Sequence, residues 1–158
     1  MDLADIATVQ QLCELLADER RRPIHVEAYP LDPPLAGLWI ATRTTDYIFY
    51  AEDAPPPLQE HTVLHELGHV LLAVGDTVHP DLDDWELSGP LPVLSPAMLL
   101  AALKRSCYDD ERECAAELLA TLIEQRWRAT QGGDLGPPLS VYTRPDTRWL
   151  AEQAGAER

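Results

Sequence analysis

The stretch 61-HTVLHELGHVLLAVG-75 decides how the chain is read. Leu64, Leu67, Val70, Leu71 and Leu72 are uncharged and recur as a buried helix requires, and Gly75 supplies a C-terminal stop. Pro57 suits a first helical turn, so the spacing predicts a helix from about Pro57 to Val74. Within it lies His65-Glu66-Leu67-Gly68-His69. Residues four apart on a helix stand about 40° apart around the axis and one turn along it, so both imidazoles can reach one metal ion. Glu66 points beside them, where a carboxylate can hold a metal-bound water and take its proton. Gly68 costs about 1 kcal/mol in a helix interior relative to Ala, which implies that something needs its small size. The plain alternative is a core helix whose histidines merely find hydrogen bonds.

A two-histidine site needs a third ligand. His61 is one turn before His65, but about 12 Å of helix rise separates it from His69, while ligands sit about 2 Å from zinc. His61 therefore reads as a rim or supporting residue. A histidine six residues beyond the second would complete another zinc-protease pattern, and that position is Gly75. Asp76 and His79 follow at no regular spacing and stay open as sources. The other source is a later helix, 109-DDERECAAELLATLIEQR-126, which offers Glu113 with Asp110 and Glu117 on the same face. One carboxylate could ligate while a neighbour holds a ligand histidine's outer N–H. The alternative is a solvated acidic face.

The rest of the chain reads as one α+β domain over residues 1–158, mostly helical, with a small antiparallel sheet beside the His-Glu-x-x-His helix. Leu3, Ile6, Val9, Leu12, Cys13 and Leu16 predict an amphipathic helix over 3–19. The segment 21-RRPIHVEAYPLDPP-34 reads as extended and broken by proline. The segment 37-GLWIATRTTDYIFYAE-52 reads as a hairpin around a polar turn at Arg43–Asp46, ended by Pro55-Pro56-Pro57. Residues 76–96, rich in proline and acid, read as a long loop. Their acids do not fit a calcium loop, since Trp85 and Glu86 fall where ligands should be. Helical patterns resume over 95–105 and 109–129, and Asp146 could cap a short last helix. Trp39, Trp85, Trp127 and Trp149 read as packing residues.

Composition narrows the function classes. The 158 residues are 46% hydrophobic and 25% charged, as in a folded domain that can bury a core. Twenty-seven acids against twelve bases give a net charge of −15, which repels phosphate backbones and argues against direct nucleic-acid binding. It serves solubility, and it would also suit a basic protein partner. The N-terminus carries early acids and no apolar core of a signal peptide, and no run is long enough to span a membrane. Three cysteines, Cys13, Cys107 and Cys114, form no framework or C-x-x-C pair, so a cytoplasmic home is expected. A single lysine among abundant Arg, Ala and Pro matches the bias of a GC-rich bacterial genome.

Two segments together, 59-QEHTVLHELGHVLL-72 and 111-ERECAAELLATLI-123, resemble the ImmA/IrrE family of zinc metallopeptidases. That family carries H-E-L-G-H on one helix and E-x-E-A-N-x-F-A-x-x-L-L on a later one, and strands resembling 37–52 precede the first. The likeness spans roughly residues 25–125. It implies a zincin-like metallopeptidase domain with zinc as cofactor, His65, His69 and Glu113 as ligands, and Glu66 as the catalytic acid–base. The second motif departs from the pattern: Cys114 stands for Ala, Ala115 for Asn and Glu117 for the aromatic, and a shifted register would bring Asp110 into the ligand position.

The resemblance further implies a cytoplasmic bacterial protein that cleaves or inactivates a separate helix-turn-helix repressor, because no such motif lies in this chain. In that mechanism Glu66 deprotonates a zinc-polarised water, which attacks a peptide carbonyl, and then returns the proton to the leaving amine. Substrate could add as a strand to the edge of the 37–52 hairpin. Tyr108, Tyr142 and His79 are candidates for steadying the oxyanion. The rival readings are a metal-binding module that regulates a transcription factor by docking alone, a metal-free interaction domain, and a hydrolase of some other amide.

Overall fold

A computed structural model describes residues 6–73 and 110–130. They form an α+β arrangement of three helices and a three-stranded mixed sheet, in the order α1 (Val9–Arg20), β1 (Ile24–Tyr29), β2 (Gly37–Ala41), β3 (Asp46–Ala51), α2 (Pro56–Leu72) and α3 (Asp110–Thr130). The expected loop over 76–96, the helix over 95–105 and the last helix at Asp146 lie outside the described residues, as do Cys107, Trp85 and Trp149.

The first helix begins later than its apolar spacing implies. Thr8 is its N-cap, and its Oγ1 accepts from the Gln11 backbone N–H at 3.2 Å. Ile6 and Ala7 precede that cap in non-helical backbone. The Ile6 carbonyl accepts from Trp127 Nε1 at 2.9 Å, a bond to α3 that an early helical turn would have used otherwise. The helix ends at Arg21, whose left-handed backbone (φ 54°, ψ 39°) lets the Arg22 N–H reach the Ala17 carbonyl.

The sheet differs from the expected antiparallel one. β2 and β3 form the anticipated hairpin, with Trp39 opposite Ile48, but β1 pairs with β3 in parallel, with Val26 opposite Ile48. The order is β1-β3-β2. Pro23 and Pro30 bracket the strand Ile24–Tyr29 instead of breaking it, which leaves six residues with every N–H free to pair. From Tyr29 the chain crosses the end of β3 through residues 30–36, where Ala51 N–H meets the Ala36 carbonyl at 2.9 Å, and then returns as β2. β3 folds back into the gap between them. It is therefore the central strand, and all six of its residues are buried.

Its two faces build two apolar clusters. Ile48 and Tyr50 pack with Val9, Leu12 and Leu16 of α1, Val63, Leu64, Leu67 and Val70 of α2, and Ala120 and Trp127 of α3. Tyr47, Phe49 and Ala51 pack on the other side with Leu31, Leu38 and Ile40. Burying such side chains contributes about 1.5–3 kcal/mol each, so the layer beneath α2 is firmly held.

Asp46 opens β3 instead of closing the turn. The turn itself is made by Thr42 and Thr45, which exchange backbone and hydroxyl hydrogen bonds of 2.8–3.0 Å. Asp46 is wholly buried and accepts from Arg20 Nε at 3.1 Å, Arg22 Nη2 at 3.0 Å and Trp39 Nε1 at 3.0 Å. Arg20 also reaches the Val70 carbonyl at 3.4 Å, so this carboxylate joins α1, the sheet and the C-terminal end of α2.

Candidate metal centre

α2 starts on Pro56 and Pro57, which suit its first turn, and runs to Leu72 with Ala73 as its extended C-cap. Thr62, Val63, Leu64, Leu67, Gly68 and Val70 are its buried residues. His61, His65 and His69, each one turn from the next, form a half-buried stripe facing α3.

The two helices meet closely because of Gly68. A Cβ built there would lie 3.0 Å from Ala116 Cα, 3.1 Å from its carbonyl oxygen and 3.2 Å from its Cβ. The small size anticipated at this position is thus used to admit the backbone of α3. Ala116 lies three residues beyond Glu113 and one before Glu117, so this contact carries both carboxylates up to the histidine stripe.

Three side chains converge there. His65 Nε2 and His69 Nε2 are 3.1 Å apart. Glu113 straddles them, with Oε2 at 3.3 Å from His65 Nε2 and Oε1 at 3.2 Å from His69 Nε2. The group could hold a metal ion, and it is the one such cluster among the described residues. The separation of the two Nε2 atoms suits a small tetrahedral ion, whose ligand atoms about 2.0–2.1 Å from zinc stand roughly 3.3 Å apart, and Glu113 sets one oxygen beside each nitrogen. The donor chemistry points the same way. A proton can bridge only one pair of these atoms at a time, whereas one cation serves all three.

Glu66, on the same turn of α2, is half-buried beside the start of β2. A Cβ built on Gly37 would come within 2.4 Å of Thr62 Cγ2 and 2.8 Å of Glu66 Oε1. Glycine at this position is what lets the strand lie over the glutamate. Nothing in the residue pattern of the hairpin distinguished Gly37, because its role depends on contact with another element.

Beyond the cluster, Glu117 Oε2 lies 3.2 Å from His65 Nδ1, and its two oxygens lie 3.1 and 3.2 Å from His61 Nε2. His61 Nδ1 is 2.9 Å from Glu124 Oε1, and Glu124 Oε2 accepts from Arg128 at 3.3 Å. His61 thus lies outside the group of His65, His69 and Glu113 and pairs with Glu117 and Glu124. Burial works against its charged form, but hydrogen bonds and charge from Glu117 and Glu124 prevail and raise its pKa above 6.5. For Glu117 burial pushes upward, yet hydrogen bonds and charge from His61, then from His65, hold its carboxyl below the ordinary value.

His65, Glu113, Cys114, Glu117, Leu118 and Thr121 line an open cleft of about 530 Å³, which leaves the ligand edge accessible. Cys114 is an exposed free thiol, while Cys13 is pushed up to about 12 by burial and then by Glu14, which makes it unreactive. Asp76, His79, Tyr108 and Tyr142 lie outside the described residues, as does the side chain of Asp110. No helix among the described residues is long and apolar enough to cross a membrane. No family model, curated protein or solved structure matches the chain.

Proposed function

We propose that this chain is a zinc-dependent metallopeptidase of the ImmA/IrrE type, with a zincin-like active site, that cleaves or inactivates a separate helix-turn-helix repressor. The observation carrying this reading is the convergence of His65 Nε2, His69 Nε2 and the Glu113 carboxylate within 3.1–3.3 Å of one another, with Glu66 on the same helical turn. His65, His69 and Glu113 would hold the ion. Bound zinc supplies a Lewis acid that makes a water acidic enough to lose a proton near neutral pH.

Glu66 would serve as the base that accepts a proton from the attacking water and returns it to the departing amine. Its position beneath Gly37 suits a base that must stay aimed at one place. β2 is an edge strand of the described sheet and offers backbone N–H and C=O groups on which an extended peptide can lie. The net charge of −15 suits a basic partner such as a DNA-binding repressor.

The test pairs metal content with cleavage. Wild type should bind about one zinc per chain, and Glu66→Gln should keep the zinc while cleavage of a candidate repressor falls by roughly 10²–10⁴-fold. If Glu66→Gln regulates the repressor as well as wild type does, proteolysis is not the mechanism. A wild type that takes up no zinc even when reloaded rejects the metal reading.

A further inference from the structure

The histidines of α2 and the glutamates of α3 form two facing ladders running in opposite directions. His69 meets Glu113, His65 meets Glu113 and Glu117, and His61 meets Glu117 and Glu124. Only the first two histidines and the first glutamate belong to the metal-ligand cluster. We infer that Glu117 is a positioning residue for that centre, holding the His65 ring through Nδ1 so that Nε2 is the nitrogen presented to the metal. The inference rests on the metal reading above and assigns a role that the family pattern, with an aromatic at this position, does not contain.

A histidine that ligates through Nε2 must carry its proton on Nδ1, and a carboxylate accepting that proton fixes both tautomer and ring orientation. Glu117 Oε2 is 3.2 Å from His65 Nδ1. The carboxylate is itself held, since His61 Nε2 lies 3.1 Å from its Oε1. His61 is fixed in turn by Glu124 Oε1, 2.9 Å from Nδ1. With both ring nitrogens against carboxylates, His61 in its protonated form donates in both directions, and the Glu117 carboxylate can accept from His61 and His65 together. The Glu117 side chain is 56% exposed, so its removal opens no cavity in the core.

Zinc affinity of the full chain, measured by competition with a chelator, tests this for wild type, Glu117→Ala, Glu117→Gln and Glu113→Ala. Glu117→Ala should weaken zinc binding roughly 10–100-fold, while the melting temperature of the metal-free protein falls only slightly, as expected for losing the exposed His61–Glu117 pair. Glu117→Gln should recover most of the affinity, because its amide oxygen still accepts from Nδ1–H. Wild-type affinity in Glu117→Ala, beside lost binding in Glu113→Ala, would overturn the inference and leave the metal centre standing. Equal losses in Ala and Gln would overturn it too, by showing that charge and not orientation matters. Absence of zinc binding by wild type would remove both readings together.

Discussion

Gly68 of α2 and Ala116 of α3 are in backbone contact: the missing Cβ of the glycine would stand 3.0 Å from the alanine's Cα. The meeting of His65 and His69 on α2 with Glu113 on α3 depends on this approach. A change at Gly68 therefore tests whether the helix spacing sets the site.

Gly68→Val should separate the helices. Overpacking of this kind costs about 1–3 kcal/mol, to be read from urea denaturation. Because α3 is displaced along with Glu113, zinc affinity should fall in the same variant. Unchanged affinity would show that Glu113 reaches the histidines independently of this contact.

Gly37→Ala should act on chemistry more than on metal. Its Cβ would fall 2.8 Å from Glu66 Oε1 and 2.4 Å from Thr62 Cγ2, so the glutamate must move. The expected outcome is near-normal zinc content with reduced turnover of substrate. Zinc titration beside a cleavage assay separates the two, and full turnover would show that Glu66 tolerates displacement.

Asp46→Ala should be among the most damaging changes in the molecule. It leaves the guanidinium groups of Arg20 and Arg22 without their shared carboxylate, at side-chain exposures of 16% and 9%. Breaking a buried pair from one side costs about 3–5 kcal/mol. Equilibrium unfolding of the full chain measures this, and a loss below about 1 kcal/mol would mean that the arginines find solvent.

The pH dependence of the metal-free protein should carry a signature of His61. Glu117 and Glu124 face it from α3, Glu60 is its neighbour on α2, and Arg128 engages the far oxygen of Glu124. Its folded pKa lies above the ordinary 6.5, so its contribution to stability is fully present below that value and disappears as pH rises through the folded pKa. NMR titration of the ring should give a midpoint above 6.5, and Glu124→Gln should lower it. A wild-type midpoint below 6.5 would mean that burial outweighs the two carboxylates.

Much of this arrangement is legible in local spacing. His65, Glu66 and His69 declare themselves by helical periodicity, whereas spacing leaves Glu113 beside Asp110, Asp76 and His79 as sources of a third ligand, and only the family resemblance points to Glu113. The hairpin is legible because β-branched and aromatic residues flank a polar turn. Other features need information that no short window holds. The parallel pairing of β1 with β3 depends on where the chain returns after Tyr29, and the prolines around Ile24–Tyr29 suggest a break where they mark ends. Asp46 looks like a turn residue until Arg20, Arg22 and Trp39 are seen to enclose it. Gly37 owes its role to partners on another element, and which neighbour of Glu113 meets His65 is set by how α3 packs on α2.

The facing ladders of α2 and α3 also bear on how the chain is held together. Two ligands sit within one helix, whereas the third arrives from more than forty residues downstream. An ion shared among them would close that long chain loop, as a covalent cross-link does, but reversibly and under control of free metal. Saturation at a thousand times the dissociation constant would add about 4 kcal/mol to the folded state. Chelation would accordingly loosen α3 from α2, exposing the apolar side of α3 around Ala120 and Trp127 to proteases, so the proteolytic lifetime of the chain would report the zinc supply of its surroundings.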